Sequence, residues 1–172
     1  NNRGLTYNDL GQYRRALEDF DRALRLDSGF AAAYSNRGIA YFDLEQYQRA
    51  IEDYDQAIRL DPDYANAYNN RGNAYGGLDQ YERAIADYDQ SLLLDPDNAL
   101  AYYNRGLAYD DLGQYPRAIE DYDQALRLDA DYADAYNNRG NAYDKLGQRE
   151  RAIQDWRRAC ELGYQPACDK VK

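Results

Sequence analysis

Hydrophobic and small residues recur at helical intervals along the chain, in short blocks separated by polar breaks. Within residues 31–43, Tyr34, Arg37, Gly38 and Tyr41 fall on one face at a spacing close to 3.6 residues. After Gln46 a second stripe follows, made of Tyr47, Ala50, Ile51, Tyr54, Ala57 and Ile58. Each stripe predicts a short amphipathic helix, and the tight polar link between them predicts an αα-hairpin. The segments Leu60-Asp61-Pro62-Asp63 and Leu94-Asp95-Pro96-Asp97 read as breaks, because proline biases the residue before it away from helical backbone. No alternating strand pattern occurs, so the predicted fold is all-α.

The same pattern returns every 34 residues. Asn-Arg-Gly stands at Asn2-Arg3-Gly4, Asn36-Arg37-Gly38, Asn70-Arg71-Gly72, Asn104-Arg105-Gly106 and Asn138-Arg139-Gly140. Ala16, Ala50, Ala84, Ala118 and Ala152 keep the same phase, each followed by Leu or Ile. A fixed period of this length signals stacked supersecondary units, none of which buries its apolar face alone.

Composition narrows the function classes. The 172 residues carry a formal net charge of -10, which is the wrong sign for a nucleic-acid footprint. No apolar run reaches the roughly 20 residues needed to span a bilayer, and no signal peptide opens the chain. Methionine is absent, which predicts a segment of a longer protein or a processed chain. Twenty tyrosines rule out a disordered acidic tail. With no histidine, the commonest general base and metal ligand are both missing, and no catalytic residue, metal site or cofactor is expected. Carboxylate pairs such as Asp53 and Asp55 recur in four of the five units and so assign no unique site, and Gly76-Gly77 lacks the lysine and hydroxyl residue of a phosphate loop.

Numbered from Ala31, the repeats run 31–64, 65–98, 99–132 and 133–166, preceded by a truncated unit at 1–30. An aromatic stands at position four (Tyr34, Tyr68, Tyr102, Tyr136), glycine at eight (Gly38, Gly72, Gly106, Gly140) and tyrosine at eleven (Tyr41, Tyr75, Tyr109, Tyr143). Alanine occupies position twenty, an aromatic position twenty-four (Tyr54, Tyr88, Tyr122, Trp156) and a small residue position twenty-seven (Ala57, Ser91, Ala125, Ala159). This pattern resembles the tetratricopeptide repeat (TPR) family over nearly the whole chain. The resemblance implies an α-solenoid of stacked antiparallel hairpins in a right-handed superhelix, with residues 1–166 forming a single array and 164–172 a closing helix. It also implies an interaction scaffold whose first helices line a concave, partner-binding groove.

Several positions depart from the family pattern or refine it. Arg3, Arg37, Arg71, Arg105 and Arg139 replace the usual leucine at position seven, and Asp19, Asp53, Asp87, Asp121 and Asp155 stand at position twenty-three. They read either as an anion-binding ladder or as ion pairs within and between hairpins, where a guanidinium fork suits a carboxylate. A glycine inside a helix costs roughly 1 kcal/mol against alanine. Its recurrence at position eight therefore predicts close approach of the second helix, through that helix's small residues.

In the family, position six points into the groove. Asn2, Asn36, Asn70, Asn104 and Asn138 stand there, each offering donors and an acceptor to a peptide main chain. The alternative is that these amides brace neighbouring helices. Repeats 31–64 and 99–132 differ at eight of 34 positions, and four of the eight form one helical stripe: Ala32/Leu100, Ser35/Tyr103, Ile39/Leu107 and Phe42/Asp110. A held framework with one changing stripe suits a recognition surface. The family's two-carboxylate clamp is absent, because Ser35, Asn69, Tyr103 and Asn137 occupy its positions, beside Ala32, Asn66, Leu100 and Asp134. Asp43, Asp110, Asp111, Asp134 and Asp144 make the expected groove acidic, with Asn73, Asn141 and Lys145 beside them. The expected partner is a basic or neutral peptide with apolar anchors. The alternative function is structural self-assembly, end to end.

Two further features stay open on sequence. Gly76-Gly77 stands where the neighbouring repeats carry Phe42-Asp43 and Asp110-Asp111, and reads either as a hollow for a bulky partner side chain or as a frayed helix end. The stretch Ala159-Cys160-Glu161-Leu162-Gly163 with Ala167-Cys168 is similar to Sel1-like repeats, in which cysteines at this spacing can bridge adjacent helices. A bridge implies an oxidising compartment and two buried free thiols a reducing one, so localisation is not assigned.

Overall fold

A computed structural model describes residues 1–171, and among them every regular element is helical. The helices are α1 (Asn2–Asp9), α2 (Tyr13–Leu26), α3 (Ala31–Asp43), α4 (Tyr47–Leu60), α5 (Ala65–Gly76) and α6 (Tyr81–Leu94), then α7 (Ala99–Asp111), α8 (Tyr115–Leu128), α9 (Ala133–Lys145), α10 (Arg149–Glu161) and α11 (Gln165–Cys168). They pack as two units, the first from Asn1 to Leu94 and the second from Asp95 onward. Within each unit successive helices pair as hairpins, and each hairpin packs on the next.

The helix ends follow from local chemistry. α4 stops at Leu60, and Asp61 before Pro62 is extended at φ -138° and ψ 91°. Inside the hairpin, the amide of Gln46 returns to Tyr41 O and that of Glu45 to Phe42 O, a left-handed helix terminus. The turning residue has positive φ, and glycine supplies it at Gly11, Gly113 and Gly147. Glu45 and Asp79 adopt φ 57° at the same register position without glycine's freedom.

The glycine at position eight is required by an aromatic ring rather than by the small residues expected opposite it. A Cβ on Gly38 would fall 2.6 Å from the Tyr54 ring, and one on Gly72 2.6 Å from Tyr88. Trp156 takes the same place against Gly140. The alanines at position twenty are fully buried beside these rings and admit the hairpin's close packing.

Arginine at position seven is a clasp. Arg37 donates through Nε and Nη2 to both oxygens of Asp53 in its own hairpin, at 2.8 and 2.7 Å, and through Nη1 to Asp21 of the preceding hairpin at 2.6 Å. Arg71 repeats this with Asp87 and Asp55, and Arg139 with Asp155 and Asp123. Burial pushes the Asp53 and Asp87 carboxyls up, against the pull of Arg37 and Arg71. A carboxyl raised on folding contributes most to stability below its ordinary pKa, and that contribution falls as pH rises through the folded value. At neutral pH the pairs therefore set register more than they add net stability.

At the end of the second unit, α11 is shorter than the closing helix expected over 164–172, and Lys172 lies outside the described residues. Cys160 and Cys168 form a disulfide. Ala167 is buried with Ala152, Trp156 and Ala159, and Tyr164 and Val171 pack around them.

Arg71→Ala is expected to destabilise the protein by about 3 kcal/mol, because the Asp87 carboxylate is left buried and unpaired. Urea unfolding at neutral pH checks this, and Arg71→Lys should not restore it, since an ammonium cannot form the two-oxygen fork. For the disulfide, thiol titration of denatured, unreduced protein should find no free cysteine. Reduction should then lower stability by about 2–3 kcal/mol, the loop-closure contribution of a short bridge.

Candidate functional site

The first helices lie side by side: α3 touches α5 in the first unit and α7 touches α9 in the second. Between α3 and α5 is a cavity of about 220 Å³ lined by Ile39, Phe42, Asp43, Tyr54, Asn70 and Asn73. Ile39 and Phe42 present an apolar wall from α3. Asn70 and Asn73 present amides from α5, one helical turn apart. Phe42 is held in place by Tyr47 of α4, their rings 5.4 Å apart.

Two polar groups define the chemistry of this cavity. Asp43 accepts a hydrogen bond from Asn8 Nδ2 at 3.0 Å, and among the described residues no lysine or arginine pairs with it. Tyr54 is 1% exposed, and burial raises its hydroxyl pKa well above the ordinary tyrosine value, reinforced by Asp43 and Asp53. One repeat later Tyr88 donates to Asn73 Oδ1 at 2.7 Å, and Trp156 Nε1 donates to Asn141 Oδ1 at 3.1 Å. Ile39 occupies the register of Asn73 in the Tyr54 hairpin and offers no acceptor. Leu107 does the same opposite Tyr122, whose hydroxyl is buried with no hydrogen-bond partner among the described residues.

The other candidate positions separate into distinct environments. Ser35, Asn69 and Asn137, expected on the open groove, are instead buried, at 1%, 4% and 5% exposure. A side chain at position five is turned toward its neighbours: Asn137 donates to Asn138 Oδ1 and accepts from Lys170. Tyr103 at this position is half-buried between the Tyr122 and Tyr132 rings, and burial pushes its hydroxyl up to about 12. Position six is also partly spent on bracing. Asn36 Nδ2 donates to Asn1 Oδ1 at 3.1 Å, and Asn138 Nδ2 donates to the Tyr103 hydroxyl at 2.9 Å. Asn104 has a partner within the chain, whereas Asn70 lines the cavity.

Asn66, Leu100, Asp43 and Asp111 are exposed, while Ala32, Leu107 and Asp134 are half-buried. Asp110 is half-buried too, and burial raises its carboxyl, with Asp111 adding to the rise and Lys145 opposing it. Asp144 is paired with Arg149 at 2.7 Å. The glycine pair divides. Gly76 faces open space, as a hollow requires. The space beside Gly77 is instead taken by the Tyr47 ring, only 2.8 Å from where a Cβ would stand, so Gly77 adds nothing to the hollow.

Lys170 was not anticipated as a site residue. Its ammonium donates to Asn137 Oδ1 at 2.9 Å and to Asn141 Oδ1 at 2.7 Å, and lies 5.2 Å from the Trp156 ring centre. Burial lowers its pKa from the ordinary lysine value, partly offset by Asp144. Tyr54, which lines the cavity, enters the sequence pattern only as the aromatic at position twenty-four. The alternation of Ile39, Asn73, Leu107 and Asn141 at position nine was legible, but nothing in it says which aromatic group each faces.

Helix hairpins that recur every 34 residues and stack on one another within each unit define a helical-repeat protein, of the class that serves as interaction scaffolds. The family description "TPR repeat" matches residues 4–45, 38–79 and 108–147, and "Tetratricopeptide repeat" matches 65–98, 133–162 and 87–120. The chain belongs to the tetratricopeptide repeat family. No curated protein matches it in sequence. Among solved structures it is similar to MamA, at 28% identity and a TM-score of 0.84, with 95% of this chain and 96% of that one covered. It is also similar to MamA 41-end from Desulfovibrio magneticus RS-1, at 25% identity and 0.84, covering 94% and 91%. The fold of YrrB, a TPR protein with an unusual peptide-binding site, matches at 24% identity and a TM-score of 0.78, covering 98% of this chain and 88% of that one.

Proposed function

We propose that this scaffold binds an extended, positively charged peptide along the face formed by its first helices, in the first unit over α3 and α5. The observation that carries this reading is the cavity between those helices. It combines an apolar wall from Ile39 and Phe42, the Asp43 carboxylate and the amides of Asn70 and Asn73. An amide at Asn70 can both donate to and accept from a peptide bond, which orients a main chain without reading its sequence. The surrounding acidity steers basic segments toward the face and disfavours acidic ones. Because Asn36 and Asn138 are engaged within the chain, Asn70 carries the main-chain contact. The role is non-catalytic, since recognition through amides and a carboxylate needs neither nucleophile nor metal.

A second reading, end-to-end self-association, is favoured by the outer face of the first hairpin. Leu26 is 82% exposed there, and a cleft of about 680 Å³ runs past Arg3, Arg22, Leu26 and Phe30. Light scattering over a wide concentration range separates the readings. A constant monomer mass supports the peptide scaffold, and a mass that climbs with concentration supports assembly.

Asn70→Ala is expected to weaken binding of a basic peptide by about ten-fold, the loss of one or two hydrogen bonds, with an unchanged circular dichroism spectrum. Gly76→Leu places a side chain in the open space beside the cavity and should also weaken binding. Fluorescence anisotropy with the labelled peptide acetyl-(Lys-Ser-Gly-Leu)3-amide measures both. Parent-like affinity in both variants would sink the proposal.

A further inference from the structure

We propose that the cavity between α3 and α5 is a receptor for a single lysine side chain of the partner, with the ammonium held by Asp43, the Asn70 and Asn73 amide oxygens and the Tyr54 hydroxyl. The inference rests on the peptide reading above and adds the residue that the cavity selects.

Three independent observations converge. The first is charge: the cavity is lined by one carboxylate and no cation, and among the described residues Asp43 is hydrogen-bonded by the neutral Asn8 amide and by no cation. The second is the Tyr54 hydroxyl. Its side chain is almost wholly buried, yet it lines the cavity and makes no hydrogen bond among the described residues. Its counterparts Tyr88 and Trp156 are satisfied by Asn73 and Asn141, so the Ile39 substitution is what leaves this polar group pointing at the open volume. A hydroxyl that opens onto this volume offers lone pairs to an incoming donor.

The third is an ammonium that the chain already holds in a similar way. Lys170 sits between two asparagine oxygens, Asn137 Oδ1 and Asn141 Oδ1, beside an aromatic ring. Asn141 and Asn73 occupy the same register position in their repeats. Two amide oxygens and a ring therefore suffice to hold a lysine head in this framework, and the cavity adds a carboxylate. The apolar wall of Ile39 and Phe42 suits the methylene stem, which lysine buries while its head seeks polar partners. An ammonium with three rotatable donors fits acceptors converging from different directions, whereas the planar arginine fork requires a coplanar pair.

The test uses the intact chain and Nα-acetyl-lysine N-methylamide as probe, with the norleucine and arginine analogues beside it. Nuclear magnetic resonance follows the side-chain amides of Asn70 and Asn73 and the Tyr54 ring. Saturable shifts with the lysine probe are expected, with binding about ten-fold weaker for norleucine and weaker also for arginine. Asp43→Asn should weaken lysine binding about five-fold, as befits a partly exposed ion pair. Ile39→Asn should abolish the shifts, because it gives Tyr54 the acceptor that Asn73 gives Tyr88, while the thermal midpoint stays at or above that of the parent. Equal binding of lysine and norleucine, preference for arginine, or an Asp43→Asn variant that binds like the parent overturns the proposal. The two readings fail differently. If acetyl-(Lys-Ser-Gly-Leu)3-amide binds the parent, Asp43→Asn and Ile39→Asn alike, yet Asn70→Ala more weakly, the lysine pocket falls and the peptide scaffold stands. If that peptide binds nowhere while the lysine probe still shifts Asn70, Asn73 and Tyr54, the scaffold reading falls and the pocket stands.

Discussion

The arginine clasp is the interaction on which the stacking within each unit depends. A hairpin of two short helices cannot bury its own apolar faces, so its stability is borrowed from its neighbours. Arg37 ties both oxygens of Asp53 within its hairpin and reaches back to Asp21 in the hairpin before. One guanidinium thus fixes the angle of a hairpin and its offset from the previous one together. Such partly buried pairs add little net free energy after desolvation, but a shifted register would strand an unpaired charge. That penalty favours one stacking over its alternatives.

The clasp also frees the opposite face. With register set by the arginines and the aromatic rings seated on Gly38, Gly72, Gly106 and Gly140, the remaining structural contacts of the first helices are local braces, such as Asn36 with Asn1 and Asn138 with Tyr103. Variation collects there. Where position nine is asparagine, the aromatic group behind it is satisfied, and where it is Ile39 or Leu107 a hydroxyl is left without that partner. The Ile39 case opens onto a cavity and the Leu107 case is sealed under Tyr103. One difference between chemically similar repeats therefore decides whether the aromatic hydroxyl is satisfied within the chain or opens onto a cavity.

Closure at the last hairpin uses different chemistry. The Cys160–Cys168 bridge and the burial of Ala167 bring Lys170 over Asn137 and Asn141. A covalent link compensates for a terminal segment too short to bury much apolar area, and the lysine donates to two amide oxygens, of which Asn141 Oδ1 also accepts from Trp156 Nε1.

The fold was legible in the sequence because each local signal repeats in phase: apolar spacing for the helices, Pro62 and Pro96 for the breaks, and glycine at eight for the tight hairpin. Spacing also paired position seven with position twenty-three, since both recur without exception. It could not show that Asp21, Asp55 and Asp123 complete the clasp from the preceding hairpin, because that contact depends on how one unit leans on another. Nor could it show that Ser35, Asn69 and Asn137 turn inward while Asn70 lines a cavity, since helical periodicity assigns a face but not the depth at which a neighbour covers it. The sequence alone determined the repeat, its helices and the residues held constant for packing. Tertiary structure decided which of the variable polar groups are consumed by neighbours and which open onto a cavity or solvent, because burial is set by stacking distances that no single repeat encodes.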